Sequence, residues 1–252
     1  MSRLVDRLNQ ISRIAPQPMG FRAAQTVLQK PRILLIASLA EVDVEGVADY
    51  VAGADAGLLS ISDLTSGAKT IDKMCQVVSD IPWGGWLSNV DNEGIKQIEK
   101  SGCDFVVFPA ASTSLGIFQD DEVGKILEVG ASLSEGLLRA VDELPVDAVL
   151  IATEQEEQFL TWQHLMIFQH FAGLLTKPLL AFVPSNVTAS ELQAVWEAGV
   201  SGVVVKVGRD RGGLKELSRA VDKLTFPPQR KRGKVGAILP FTGGEADREE
   251  EE

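Results

Sequence analysis

A chain of 252 residues, 45% of them hydrophobic, can bury one sizeable core and suits one domain with short appendages rather than two. It holds no uninterrupted apolar run of roughly 18 residues, which excludes a transmembrane helix, and the charge-studded start MSRLVDRLNQISR lacks the apolar centre of a secretory signal. The formal charge of -11 lies in the body, because residues 1–32 carry Arg3, Arg7, Arg13, Arg22, Lys30 and Arg32 against Asp6 alone; an acidic body cannot displace counterions from a phosphate backbone, so nucleic acid is excluded as a partner.

Residues 1–31 read as an N-terminal arm in which Leu4, Leu8 and Ile11 recur at helical spacing. The arm is basic and the body acidic, so it either caps the bottom of the fold or makes a subunit contact in a homo-oligomer. From Arg32 to Leu224 the chain repeats one rhythm eight times: a β-rich apolar segment, a turn of small polar residues and an amphipathic helical stretch. Strands are predicted at 32–38, 55–61, 83–88, 104–110, 125–131, 147–153, 178–184 and 202–208. The helix in TASELQAVWEAG has a capping pair in Thr188 and Glu191, an apolar stripe in Leu192, Val195 and Trp196, and a stop at Gly199. Eight alternations close most economically into a (β/α)8 TIM barrel over residues 32–225, with binding or catalytic groups on the loops after the strands. Residues 226–252 form a C-terminal tail. Its run RKRGK beside Pro227 and Pro228 reads as solvated, the alternative being a small anionic-partner site; VGAILPF could cap the barrel bottom or make a subunit contact, and the terminal EADREEEE is predicted to be disordered.

A strand period of two groups Gly202, Val204 and Lys206 on one face of strand 8, and Ile126, Glu128 and Gly130 on one face of strand 5. With Val203, Val205 and Val207 packing outward, Lys206 points into the barrel mouth, and Glu128 is its candidate partner. Two opposite charges in an apolar interior favour each other. Two readings stand side by side: a catalytic pair, with Lys206 as clamp, base or amine nucleophile, or an ion pair that fills the barrel. The other strand ends are rich in hydroxyls, including Ser38, Ser88, Ser112 and Ser185, which suit hydrogen bonds to a sugar phosphate or carboxylate and equally suit helix starts.

Metal and triad chemistry find little support. Glu154, Glu156 and Glu157, with Asp63 and Asp91, offer oxygen ligands for Mg2+, but a solvated acidic loop explains them more simply. His164 and His170 are the only histidines and fall on one outer helix at a spacing that does not pair zinc ligands, so no metal site is assigned and no triad base is available. Trp83 and Trp86 bracket Gly84 and Gly85 on strand 3; one of them could wall a pocket, or both could be core. Cys75 and Cys103 fall in unrelated segments, which argues against a disulfide and for a reducing cytoplasm.

The phrases AGADAGLLSI, KSGCDFVVFPA and KPLLAFVPSNVTASELQAVWEAGVSGVVVKVG resemble the aldolase-type, phosphate-binding TIM barrels, which include thiamine-phosphate synthase-like, histidine-biosynthesis-like and keto-deoxy-phosphogluconate aldolase-like members. The resemblance spans about residues 32–224. It implies a phosphate held by the loops after strands 7 and 8, here Ser185 and the run Gly208, Arg209, Arg211, Gly212 and Gly213. The chain departs from the pattern with Pro184-Ser185-Asn186 in place of a glycine pair and with Lys206 where glycine is usual. Strand 6, DAVLIAT, lacks the lysine that Schiff-base aldolases of this superfamily usually carry there. The expectation is a lyase or isomerase acting on a small anionic metabolite, phosphorylated or carboxylated. A non-catalytic binding or scaffold barrel is the rival, and a flavin-dependent enzyme a third reading that a yellow protein would reveal.

Overall fold

Each β-rich segment becomes a short strand: β1 (Leu34–Leu39), β2 (Ala56–Ile61), β3 (Trp83–Leu87), β4 (Phe105–Pro109), β5 (Gly124–Gly130), β6 (Ala148–Ala152), β7 (Leu179–Val183) and β8 (Gly202–Lys206). In the computed structural model, which describes residues 2–12, 32–39, 46–88, 97–98, 100–115, 122–152, 159–207 and 213–224, each strand pairs in parallel with the next and β8 returns to β1. The result is a closed eight-stranded (β/α)8 barrel. All eight predicted strands are present, with ends within two residues of those read from the sequence.

The described helices are α1 (Arg3–Ser12), α2 (Val47–Tyr50), α3 (Leu64–Val77), α4 (Glu135–Glu143), α5 (Trp162–Leu174), α6 (Ala189–Glu197) and α7 (Gly213–Asp222). From α2 onward they lie outside the barrel, and two apolar clusters follow from the strand period. Alternate residues such as Leu35, Leu59, Val149 and Val203 face the helices, while Leu34, Ile36, Leu58, Val107, Ile126, Leu150, Leu180 and Val204 fill the barrel itself. The cap on α6 forms as read: the Thr188 side chain accepts from the Glu191 amide at 3.3 Å, and the Glu191 carboxylate accepts from the Thr188 amide at 2.8 Å. Gly199, at φ +102°, then turns the chain in a conformation that disfavours a side chain.

A carboxylate introduces three alternate strands. Asp55, Asp104 and Asp147 each stand one residue before β2, β4 and β6. Asp55 accepts from the Leu35 amide at 2.9 Å and Asp147 from the Lys125 amide at 2.8 Å, satisfying backbone donors at the barrel's lower rim. Arg32 bridges Asp55 to Asp222, the latter at 2.6 Å, tying β2 to the end of α7.

Asp104 has a different task, because it receives the N-terminus of α1. Its carboxylate accepts from the Ser2 hydroxyl at 2.7 Å and from the amides of Arg3 and Leu4 at 2.7 and 3.0 Å, covering the otherwise unpaired first N–H groups of that helix. Leu4 and Leu8 are fully buried in the barrel's own cluster, so α1 is a plug in the lower mouth. Space for it comes from small residues: a Cβ on Gly124 would meet Ser2 and Val5 at 2.7 Å, and one on Gly202 would stand 3.4 Å from Leu8. Arg3 fastens the outer end by donating to the Asp80 carbonyl at 2.9 Å, and Arg7 donates to the Asp55 carbonyl at 3.1 Å. Of the two roles open for the arm, α1 takes the cap.

Candidate functional site

The upper mouth, at the C-terminal ends of the strands, is where the barrel filling changes from aliphatic to mixed. Trp86 follows Gly84 on the inner face of β3, Phe182 follows Leu180 on β7, and Glu128 follows Ile126 on β5. The Trp86 and Phe182 rings lie 5.1 Å apart, tilted by 34°, so they touch across the opening. Trp86 Nε1 donates to Glu128 Oε2 at 2.7 Å. Burial raises the Glu128 carboxyl above its ordinary value, and the indole hydrogen bond pulls in the opposite direction. The net result is a half-buried carboxyl with one oxygen fixed by an aromatic wall and a raised affinity for its proton.

Lys206 lies on the inner-face register of β8, in line with Gly202 and Val204, and its side chain is exposed at the rim. It makes no ion pair with Glu128, although the sequence suggests one: β5 and β8 stand three strands apart around the ring, and Trp86 takes the carboxylate instead. The two groups therefore flank the opening rather than neutralise each other. Ser38 is the strand neighbour of Lys206 and is buried, with its carbonyl accepting from the Val207 amide at 2.9 Å. Ser60, in register with Trp86, is an exposed residue near the end of β2 that adds a hydroxyl to those expected from the sequence.

No protein-family model matches the chain, and no curated protein does. Solved structures do. A mutant alpha-subunit of tryptophan synthase from Pyrococcus furiosus matches with a TM-score of 0.61 at 11% identity, over 77% of this chain and 98% of that one. Native KDPGal matches with a TM-score of 0.57 at 16% identity, over 75% and 92%. A cube-shaped cage designed by fusing symmetric oligomeric domains gives 0.57 at 15%, over 76% and 71%. The shared fold is the (β/α)8 TIM barrel. At these identities the likeness establishes architecture alone.

Around the barrel the remaining candidate residues divide by role. Ser112 donates its hydroxyl to the Ser88 carbonyl at 3.3 Å, joining the rims of β3 and β4, and both residues are exposed. Thr113 donates to the Pro109 carbonyl at 2.8 Å, a turn bond. Ser185 is exposed in the turn after β7. Asp63 caps α3 by accepting from the Ser66 amide at 2.9 Å, and the Ser66 hydroxyl and amide hold it below its ordinary value, so it serves a helix rather than a cation. Gly208, Arg209 and Arg211, together with Asp91, Glu154, Glu156 and Glu157, lie outside the described residues. Among the described residues no group of three His, Cys, Asp or Glu side chains is placed to hold a metal ion.

The tryptophans separate cleanly. Trp86 walls the mouth, while Trp83 is core between sheet and helices, donating to the Val78 carbonyl at 2.9 Å and filling the space that Gly57 leaves open. His164 closes the start of α5, where its Nδ1 meets the Thr161 amide at 3.0 Å. Both cysteines are free, and neither is an activated nucleophile: burial pushes the Cys103 thiol up to about 12 and raises that of Cys75 as well. None of the described helices is long and apolar enough to cross a membrane.

Proposed function

We propose that this barrel is an enzyme of the lyase or isomerase kind that moves a proton on a small phosphorylated or carboxylated metabolite. The observation that carries the reading is the Glu128 carboxyl: half-buried, raised in pKa and held at Oε2 by Trp86 Nε1 in the mouth of the barrel. A carboxyl tuned upward toward neutrality is suited to take and return a proton, and a fixed oxygen leaves the other free for the substrate. Lys206 supplies a positive charge on another side of the same opening, where it suits the anionic end of a substrate whose reacting carbon lies near Glu128. The Trp86–Phe182 pair supplies an apolar wall beside the Glu128 carboxyl that limits its access to water. The enzyme neighbours support the class, and the free thiols accord with a cytoplasmic setting.

A thermal-shift screen of the wild type against inorganic phosphate, sugar phosphates, carboxylates and flavins tests the reading. Phosphorylated or carboxylated compounds are expected to raise the melting temperature in a concentration-dependent way, and Lys206→Met is expected to abolish the rise while leaving the unliganded protein folded. No response to any anion, or an undiminished response in Lys206→Met, would return the barrel to the scaffold reading.

A further inference from the structure

Helix α5 stands apart from its neighbours in composition. Its sequence WQHLMIFQHFAGL contains no Asp, Glu, Lys or Arg, which holds for no other described helix. Its apolar residues run round the whole circumference, a pattern that belongs to helices covered on every side. Inward, His164, Phe168 and Phe171 are buried against the barrel, and Leu165, Ile167, Ala172 and Leu174 pack along its flanks. Outward, Trp162 is 83% and Met166 70% exposed, one turn apart, with Phe159 at 67% just before the helix. Gln163, Gln169, His170 and Gly173 complete that outer stripe, and a Cβ at Gly173 would meet nothing within 4 Å. Leu137 on the neighbouring α4 and Leu115 after β4 are exposed as well, so among the described residues most of the exposed large hydrophobics fall in three consecutive βα units.

We propose that this face is the interface of a two-fold symmetric dimer of the chain. A chain with formal net charge -11 repels its own copies wherever charged surfaces meet. The α5 stripe is the helical surface on which that repulsion vanishes: a two-fold axis through it sets Trp162 and Met166 against apolar residues, and the glutamines against neutral partners. Gly173 permits close approach of the second backbone. Helix α1, one candidate for a subunit contact, is already occupied beneath the barrel, and the tail segment VGAILPF lies outside the described residues. The inference is independent of the catalytic reading, since it uses none of the mouth residues.

Sedimentation equilibrium of the full chain over the micromolar range tests it. The wild type is expected to sediment at twice the mass of one chain. Trp162→Glu places a negative charge in the first turn of α5, where the helix dipole tolerates it, so the variant should keep its melting profile. Its dimer dissociation constant should rise roughly thirtyfold or more, the effect of losing an interfacial tryptophan. As a second measurement, Met166→Cys should be cross-linked into dimers by a short bismaleimide, whereas Val77→Cys, exposed on α3, should not. A wild type that stays monomeric throughout, a Trp162→Glu protein that dimerises as before, or equal cross-linking at both positions would overturn the proposal.

Discussion

Deleting residues 1–12 is expected to leave a barrel that melts far below the full-length protein or fails to stay in solution. Leu4 and Leu8 are fully buried among Leu34, Ile36, Phe105 and Val204, so their removal opens the barrel's lower interior to water. Truncating one such leucine to alanine costs about 2–5 kcal/mol, and domains of this kind are stable by only about 5–15 kcal/mol. The deletion also leaves Asp104 without the hydroxyl and two amides that it accepts from. Leu8→Ala serves as the milder variant, and thermal and urea unfolding measure both. An arm that merely linked subunits would instead lower the sedimenting mass with the melting temperature of the subunit preserved; that outcome would refute the plug.

Glu128→Gln is expected to reduce turnover by about 10²–10⁴-fold, the range for loss of a positioned general acid or base, once the thermal-shift screen has supplied a substrate to assay. The same substitution should hold or raise the melting temperature at neutral pH. The sign follows from burial: because the folded-state value of Glu128 lies above the unfolded one, the folded state binds the proton more tightly. The carboxyl therefore favours folding at low pH and loses that contribution as pH rises from the unfolded value through the folded one. Glutamine removes the buried charge and keeps an oxygen to accept from Trp86 Nε1. Lost activity with undiminished stability is the signature of a residue retained for chemistry. A fall in stability with unchanged activity would assign Glu128 to the barrel's filling.

The barrel was legible because its signals are local. Runs such as DFVVFPA and DAVLIAT name their own strands, and the alternation Gly202-Val204-Lys206 names the inner face of β8 without reference to any other strand. The site is legible only in part, because its decisive contact is not local. Trp86 reaches past β4 to Glu128 on β5, and nothing in the spacing of two residues 42 apart announces that bond. Charge complementarity pairs Glu128 with Lys206 on paper; barrel geometry sets them three strands apart and gives the carboxylate to an indole. A usable signal did exist: Trp86, Glu128 and Phe182 each follow an inner-face residue, Gly84, Ile126 and Leu180, by one strand period, which places all three on the inner face toward the C-terminal ends of their strands.

The plug also dictates an order of events. Helix α1 precedes the other described elements in sequence, yet its seat is built from Asp104, Gly124 and Gly202, residues of β4, β5 and β8 or at their starts. It cannot dock until the last strand has closed the ring. Contacts of such sequence separation form late, after their loop-closure entropy has been met by other pairings. Substitutions in α1 should consequently accelerate unfolding while leaving the refolding rate of the barrel nearly unchanged, which the two limbs of a chevron plot resolve. The chain's opening residues thus act last, as a latch on a ring that the other elements have already assembled.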